Sequence, residues 1–259
     1  MDLHLPTTGL DRYKSGSQRA RVSTEPWGEA NLYCVACDSP RISSLPTGTH
    51  VVDFSCPSCA SRYQLKSSAN KFGRRVIDGA YAAMHRAILS DQIPNLFFLH
   101  YKLPQLTVES VFLIPRFAFS LSCVEKRNAL SPTARRAGYV GCYFVLDRIP
   151  PDARIPVVEN ARPISSSEVR MAYNKIRSLG ELNIERRGWT LDVLNAIHSL
   201  KKKEFSLVDA YTLEPELSKL YPANRHIRPK IRQQLQVLRD HGLLDFLGRG
   251  EYRLAGTAK

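Results

Sequence analysis

The amino-acid sequence predicts a mixed α/β (α+β) domain in the N-terminal part of the chain, followed by a smaller domain of helices and a β-hairpin. Before about residue 160, short runs of β-branched and aromatic residues predominate, as is typical of strands. After Gly188, apolar residues recur every three or four positions, which indicates helices. The chain has 259 residues, which is enough for two domains of ordinary size.

The N-terminal domain is predicted to contain five strands and one helix. The predicted strands are Thr49 to Phe54, Arg62 to Leu65, Leu96 to Tyr101, Val108 to Ile114 and Tyr143 to Leu146. Apolar side chains recur on one face of Val76 to Leu89, so we expect a helix there. A segment punctuated by Pro, Ser and Gly follows. We place the linker between Arg177 and Arg187, which gives domains of residues 1–180 and 181–259.

Three helices and a hairpin are predicted for the C-terminal domain. Trp189 to Leu200 has helical apolar spacing, and Ser206-Leu-Val-Asp209 has the form of a capping box that begins a second helix. The third helix runs from about Pro229 to His241 and ends at a glycine. Two short runs around Gly248-Arg-Gly250 predict a hairpin with Arg249 at its tip. This order of elements is that of a winged helix.

The charge of the chain restricts the choice of partner. Lys and Arg number 37 against 24 Asp and Glu, which gives a formal net charge of +13 spread along the sequence. Such an excess favours a polyanion, with nucleic acid as the first candidate and an anionic membrane surface as the second. No segment approaches the roughly 18 apolar residues of a membrane span, and the N-terminus lacks a signal-peptide pattern. We therefore expect a cytoplasmic protein.

Four of the six cysteines have the spacing of a metal site. Cys34-Val-Ala-Cys37 and Cys56-Pro-Ser-Cys59 are separated by 18 residues, inside the spacing of a four-cysteine zinc site. Four thiolates leave no open ligand position, so the predicted Zn²⁺ is structural. The alternative is that one pair is redox-active and the other incidental. Cys123 and Cys142 lie in apolar neighbourhoods, and we expect buried thiols.

Polar residues beside the cysteines suggest a second site. Asp53 precedes the second cysteine pair, and Gln64 and Lys66 follow it on a predicted strand. If the two strands pair as a hairpin, the three side chains share one face. A carboxylate and an amide oxygen can hold Mg²⁺ against a phosphodiester, while a lysine orients water and offsets developing charge. An aspartate, a polar residue and a lysine at this spacing also occur by chance in ordinary strands.

Features spread over the chain carry a family resemblance. They are the two cysteine pairs, Asp-Phe-x-Cys at 53–56, Leu65-Lys-Ser67, Asp78-Gly-Ala-Tyr-Ala82, Pro132-Thr-Ala-Arg-Arg-Ala-Gly138, Arg187-Gly-Trp189 and Lys230-Ile-Arg-Gln-Gln-Leu-Gln236. Through them the chain resembles, over nearly its whole length, the DpnI-like type IIM restriction endonucleases of the PD-(D/E)XK superfamily. This resemblance implies an α/β nuclease domain with a structural zinc, joined to a winged helix.

The resemblance also implies an activity and its residues. The expected reaction is Mg²⁺-dependent, blunt hydrolysis of double-stranded DNA at GATC sites that carry N6-methyladenine. The resemblance implies that Asp53 and Gln64 are metal ligands and that the carbonyl of Leu65 completes the metal site. It also implies that Lys66 is the catalytic lysine. The family pattern has Glu where this chain has Gln64, and a neutral amide should lower metal affinity. We expect a monomer in solution.

Two segments are candidates for contact with DNA. Arginine can pair with guanine and glutamine with adenine in the major groove, which a helix fits. The third predicted helix and the hairpin tip offer Arg228, Lys230, Arg232, Gln233, Gln236, Arg239 and Arg249. A loop of the nuclease domain offers Arg135, Arg136 and Tyr139, the last as a wall for the methyl group. Alternatively, these are a solvated helix face and an ordinary loop tyrosine.

Two functions from different classes follow. The first is a methyl-directed restriction endonuclease that acts against foreign methylated DNA. The second is a zinc-containing winged-helix regulator that binds methylated DNA and has weak or no nuclease activity. Asp53 and Lys66 favour the enzyme, because a regulator needs neither, whereas Gln64 favours the regulator. The sequence has no glycine-rich nucleotide loop, so we expect no ATP dependence.

Overall fold

A computed structural model describes residues 1–46 and 52–256. The strands are β1 Ser43–Ser44, β2 Phe54–Ser55, β3 Arg62–Ser68, β4 Arg75–Ala80, β5 Asn95–Lys102, β6 Thr107–Ile114, β7 Val124–Lys126, β8 Gly141–Val145, β9 Ile155–Glu159, β10 Arg162–Pro163, β11 Glu204–Ser206, β12 Leu244–Gly248 and β13 Glu251–Leu254. The helices are α1 Gly16–Asn31, α2 Tyr81–Leu89, α3 Ser166–Arg177, α4 Ile184–Ser199, α5 Leu207–Tyr211, α6 Glu214–Leu220 and α7 Ile227–Asp240.

The chain forms two compact units, each assembled from separate segments. Unit 1 contains Met1–Gly73, Ile93–Arg116 and Ala153–Asn174, and unit 2 contains Arg74–Gln92, Phe117–Asp152 and the chain from Lys175 onward. Unit 1 contains most of the strands predicted for the N-terminal domain, whereas the predicted strand Tyr143 to Leu146 and the predicted helix Val76 to Leu89 lie in unit 2. Within the described ranges, no helix has the length and apolar character needed to cross a membrane.

Unit 1 is built on a seven-stranded sheet of order β1-β2-β3-β5-β6-β9-β10. Strands β3 and β5 are parallel and the other pairs are antiparallel. Aromatic side chains fill both faces: Tyr63 stacks on Phe97 with centroids 5.5 Å apart, and Phe98 stacks on Phe112 at 4.8 Å. Cross-strand aromatic pairs of this kind fix the register, and thereby the position of β3, which carries the candidate site residues Gln64, Leu65 and Lys66.

Helix α1 covers one face of this sheet, and the strand-based reading of the sequence did not predict it. The helix is polar overall and contains Pro26, so it lacks the usual apolar periodicity. It approaches the sheet closely at Gly28, where an added Cβ would lie 2.9 Å from the ring of Phe54. Trp27 beside it is buried. Packing against strands distant in sequence therefore stabilises a helix that its own pattern does not indicate.

Unit 2 contains a three-stranded sheet of order β4-β8-β7, and here one prediction was wrong. The helix expected over Val76 to Leu89 begins only at Tyr81, because the preceding residues form β4 and pair antiparallel with β8. Val76 and Ile77 are β-branched and Gly79 disfavours a helix, so the first half of the segment suits a strand. Only the α2 half retains the predicted helical face, on which Met84 and Ile88 are buried.

The segment in which we placed the linker is helical. Helix α3 ends at Arg177, a short 3-10 turn spans Ser178–Glu181, and α4 begins at Ile184. The turn is packed rather than exposed, since Leu179 is buried. Proline and glycine indicated a linker between domains, but the same residues also suit tight turns between packed helices.

The C-terminal part of unit 2 has the winged-helix order of elements. The capping box at Ser206 is present, with reciprocal hydrogen bonds to Asp209, and it begins α5. Strands β12 and β13 form the predicted hairpin, and β11 adds a third strand that the sequence did not indicate. At the hairpin tip Arg249 has φ +51°, between two glycines that are also left-handed.

Candidate active site, metal centre and nucleic-acid interface

The four cysteines of the two Cys-x-x-Cys turns converge. Their sulfur atoms all lie within 4.8 Å of one another. Cys34 Sγ is 3.6 Å from Cys59 Sγ, and Cys37 Sγ is 3.6 Å from Cys56 Sγ. Four thiolates around Zn²⁺ would be about 3.8 Å apart, whereas a disulfide holds its sulfurs at about 2 Å. The geometry therefore fits a metal held by four free thiols.

The surroundings of the cysteines favour ionised sulfur unequally. Burial raises the pKa of the Cys34 thiol to about 12. At Cys56 burial also opposes ionisation, but the amides of Ser58 and Cys59 point at its sulfur, and its pKa falls to about 6. Amide donors of this kind are typical of the turns that hold a bound metal through thiolates. Cys56 therefore ionises more readily than Cys34, and the thiolate is the form that binds a metal.

Two further residues support the first cysteine turn, and the sequence did not single them out. The hydroxyl of Tyr63 lies 3.1 Å from Cys34 Sγ and accepts a hydrogen bond from the Val35 amide. Arg170, on α3, donates to the carbonyls of Cys34 and Ser39 at 3.0 and 2.9 Å. Because Arg170 lies far along the chain from the turn that it holds, no local pattern could have identified it.

Asp53 is held against the backbone of β3. Its amide donates to the carbonyl of Tyr63 at 2.9 Å, and its Oδ2 accepts from the Leu65 amide at 2.8 Å. Burial raises the pKa of this carboxyl, while the Leu65 amide and the charges of Arg21 and Lys66 oppose the increase. The side chain is therefore a fixed, partly dehydrated carboxylate, with one oxygen engaged by the protein.

Gln64 and Lys66 are two residues apart on β3 and therefore share one face of that strand. The antiparallel register pairs Phe54 with Tyr63, and the hydrogen bonds of Asp53 to Tyr63 and Leu65 place it beside the part of β3 that carries Gln64. Gln64 Oε1 is buried, and no described donor lies within hydrogen-bonding distance of it. A buried carbonyl oxygen without a donor is uncommon and can serve as a ligand for a hard cation. The residues present therefore fit a Mg²⁺ site beside Asp53.

The predicted DNA-contact loop connects β7 and β8 in unit 2. Arg135 and Arg136 are exposed, and Tyr139 is half-buried. The guanidinium of Arg136 lies 3.9 Å from the centroid of the Tyr139 ring and covers one of its faces. The loop is closed by hydrogen bonds between Leu130 and both Gly138 and Tyr139. It presents two cations and leaves one face of the tyrosine ring uncovered by Arg136.

Helix α7 separates its polar face from its buried face as predicted. Ile231, Leu235 and Leu238 are buried, and Arg232, Gln233, Gln236 and Arg239 are exposed. Not all of the candidate cations are equally available. Arg228 pairs with Glu214 at 2.7 Å, Arg239 pairs with Asp240 at 2.8 Å, and the ammonium of Lys230 lies 5.5 Å from the Trp189 ring.

Arg249 and the two remaining cysteines complete the predicted residues. Arg249 is exposed at the tip of the β12–β13 hairpin. Cys123 and Cys142 are fully buried, as expected, and Cys123 Sγ donates to the carbonyl of Ser120. All six cysteines are free thiols.

Comparison with protein families covers both parts of the chain. A family model described as DpnI, the Dam-replacing family, matches residues 1–182. A second, described as the Dam-replacing HTH domain, matches residues 185–254. Membership of this family implies a methyl-dependent restriction endonuclease with a DNA-binding helix-turn-helix domain. The chain therefore belongs to the DpnI, or Dam-replacing, family of methyl-directed endonucleases.

Proposed function

We propose that this protein is a Mg²⁺-dependent type IIM endonuclease that hydrolyses double-stranded DNA at GATC sites containing N6-methyladenine. The observation that carries the proposal is the arrangement of Asp53 and Gln64. A carboxylate fixed by the Leu65 amide lies beside the strand that carries Gln64, whose buried amide oxygen has no described donor within hydrogen-bonding distance. Oxygen ligands paired in this way suit Mg²⁺, and Lys66 lies two residues further along the same face.

The residues have distinct roles in this mechanism. Asp53 and Gln64 would hold the cation, together with the carbonyl of Leu65. Bound Mg²⁺ supplies a Lewis acid that polarises the scissile phosphate and neutralises developing charge. Lys66 donates a hydrogen bond to the attacking water and offsets negative charge on the phosphate oxygens. Hydrogen bonding to Leu65 keeps Asp53 from rotating, so the ligand is oriented before the substrate arrives.

Recognition is proposed to involve both the β7–β8 loop and the winged helix. Phosphate contacts from the cations supply most of the affinity, and side chains of α7 read base edges in the major groove. Tyr139 offers an apolar surface to the N6-methyl group. The residues proposed to contact DNA are Arg135, Arg136, Tyr139, Arg228, Lys230, Arg232, Gln233, Gln236, Arg239 and Arg249.

The four-cysteine cluster is proposed to hold a structural Zn²⁺. Its four ligand positions would all be filled by sulfur, which leaves none for substrate or water. Such a centre suits the reducing conditions of the cytoplasm, where we propose that the protein acts and is a monomer in solution.

Matched plasmids provide the test. Purified protein with Mg²⁺ is incubated with one plasmid carrying adenine methylation at GATC and with an otherwise identical plasmid lacking it. We expect only the methylated plasmid to be cut, and Asp53→Ala to abolish cutting while methyl-dependent binding persists in a gel shift. Cleavage by Asp53→Ala at the wild-type rate would reject the assigned site.

The second candidate is a methyl-DNA-binding regulator without effective nuclease activity. Gln64 favours it, because the neutral amide brings no charge to the cation. Methyl-dependent binding without cleavage of either plasmid, over a wide range of Mg²⁺ concentration, would favour this function over the enzyme.

A further inference from the structure

The outward face of the β4-β8-β7 sheet contains a concentration of arginine outside the predicted DNA contacts. Strand β8 places Tyr143 at the centre of this face, opposite Ile77 on β4 and Glu125 on β7. The guanidinium of Arg127 lies 5.1 Å from the centroid of the Tyr143 ring, and that of Arg75 lies 5.8 Å from the same centroid. Two cations therefore share one aromatic ring.

The charges of this face do not cancel. Glu125 is engaged twice, by Arg75 at 2.7 Å and by Arg148 at 3.1 Å. Within the described part of the chain, Arg127 and Lys126 have no carboxylate within ion-pairing distance. From Lys126 to Cys142 the sequence contains no acidic residue. Arg127 is half-buried, where an unpaired guanidinium is less well solvated than at the surface.

The backbone holds Arg127 in place. Its amide donates to the carbonyl of Gly141 at 3.0 Å. A Cβ added at Gly141 would lie 3.4 Å from Arg127 Cδ and 3.5 Å from its Nη1, so the arginine side chain lies against that glycine. A guanidinium restrained in this way loses less entropy when it binds than a freely rotating one.

A cavity of about 360 Å³ opens beside these groups. It is lined by Arg75, Glu125, Lys126, Arg127, Asn128 and Tyr143. A concave surface with a restrained guanidinium, an ammonium and an amide donor suits an anion with several oxygens, such as a phosphodiester.

We propose that this face is a phosphate-binding site for the backbone of DNA, centred on Arg127 with Lys126 and Asn128 beside it. The inference rests on the proposed function in one respect, since the phosphate is taken to be that of a DNA substrate. The site lies at the base of the loop that carries Arg135 and Arg136. DNA bound there would contact the protein through its backbone, independently of sequence and methylation.

The salt dependence of binding tests this site directly. Affinity for a methylated GATC duplex and for a duplex without GATC is measured by fluorescence anisotropy over a range of salt, without divalent cation so that no cleavage occurs. For Arg127→Gln we expect the slope of log affinity against log salt to become about 0.9 less steep on both duplexes, as for the loss of one phosphate contact. Arg127→Lys should restore most of the slope.

Arg74→Gln is the matched control. It removes one positive charge from the same strand region, but Arg74 is exposed and pairs with Asp147 at 3.2 Å, so its slope should equal that of the wild type. An unchanged slope for Arg127→Gln overturns the proposal, as does an equal decrease for both variants, because net charge alone would then explain it. Exposed Lys126→Gln is a second test variant if Arg127→Gln fails a thermal-unfolding check.

The outcome for this site is separable from that of the nuclease. A reduced slope for Arg127→Gln in a protein that cuts neither plasmid would retain the phosphate site and reject the endonuclease. Methyl-specific cutting with an unchanged slope for Arg127→Gln would retain the endonuclease and reject the phosphate site.

Discussion

The hydroxyl of Tyr63 lies 3.1 Å from Cys34 Sγ, and the backbone carbonyl of the same tyrosine accepts a hydrogen bond from Asp53. One fully buried residue of β3 therefore contacts the candidate metal centre through its side chain and the candidate active site through its main chain. Gln64 is its immediate neighbour. The positions of the cysteine cluster and of β3 are thus linked through a single buried residue, whose ring stacks on Phe97.

Tyr63→Phe should weaken zinc binding. A hydrogen bond to a ligating sulfur typically changes metal affinity by about 10- to 100-fold when it is removed. We expect zinc to transfer faster to a chromogenic chelator, and the sulfur-to-metal absorption of the Co²⁺-substituted protein to shift.

Tyr33→Phe is the control for this variant. It removes a buried hydroxyl near the same turn that has no described hydrogen-bond partner, so zinc transfer should be unchanged. Equal zinc transfer rates in the two variants would show that the hydroxyl of Tyr63 has no effect on the metal.

Gln64→Glu should increase metal affinity. A carboxylate adds a negative charge to the proposed ligands and should strengthen cation binding, so we expect the half-saturating Mg²⁺ concentration for cleavage to fall about tenfold, or roughly 1.4 kcal/mol. The exposed Gln105→Glu adds the same charge elsewhere and should leave that concentration unchanged. If neither substitution alters the Mg²⁺ dependence, Gln64 does not hold the cation.

Asp192 should make stability depend on pH. The carboxylate is buried and accepts hydrogen bonds from Ser122 and from Tyr221, the latter at 2.6 Å. Burial raises its pKa from 3.8 to about 6. A carboxyl with a raised pKa contributes stability below its unfolded value, and that contribution is lost as pH rises through about 6.

The measurement compares unfolding of the wild type with that of Asp192→Asn. A pKa raised from 3.8 to about 6 corresponds to about 3 kcal/mol of unfolding free energy. As pH rises from about 4 to about 7, the free energy of unfolding of the variant should therefore increase by about this amount relative to that of the wild type. Urea unfolding at both pH values gives the difference. Asp209 provides a contrast of opposite sign, because its hydrogen bonds to Lys202 and Ser206 lower its pKa to about 2. Parallel pH profiles for the wild type and Asp192→Asn would contradict the assignment.

Local spacing predicted a large part of this structure. The two Cys-x-x-Cys turns, the capping box and the hairpin with Arg249 each depend on residues close together in sequence, and all three are present. By contrast, α1 has no apolar periodicity, and it is held by a close approach of Gly28 to Phe54. Arg170 reaches its carbonyl partners from a distant helix. These contacts depend on tertiary packing, which one sequence does not reveal.

The ion pairs formed by arginines of α7 also could not be predicted from the sequence. The charge pattern grouped six polar residues, but the structure pairs Arg228 with Glu214 and Arg239 with Asp240. Arg232 and Gln236, one helical turn apart, are both exposed, and no described carboxylate pairs with Arg232. An arginine without an internal partner can form a bidentate contact with a base without first breaking an ion pair.

Arg232→Ala should therefore weaken binding to the methylated GATC duplex more than Arg228→Ala does. Loss of one bidentate base contact costs about 1–3 kcal/mol, or roughly 5- to 150-fold in affinity, and affects the cognate duplex more than one without GATC. Removal of a phosphate contact would instead weaken both duplexes alike. Competition binding with the two duplexes separates these cases. Equal losses for Arg232→Ala on both duplexes would make Arg232 a backbone contact, and the reading of base edges would then fall to Gln233 and Gln236.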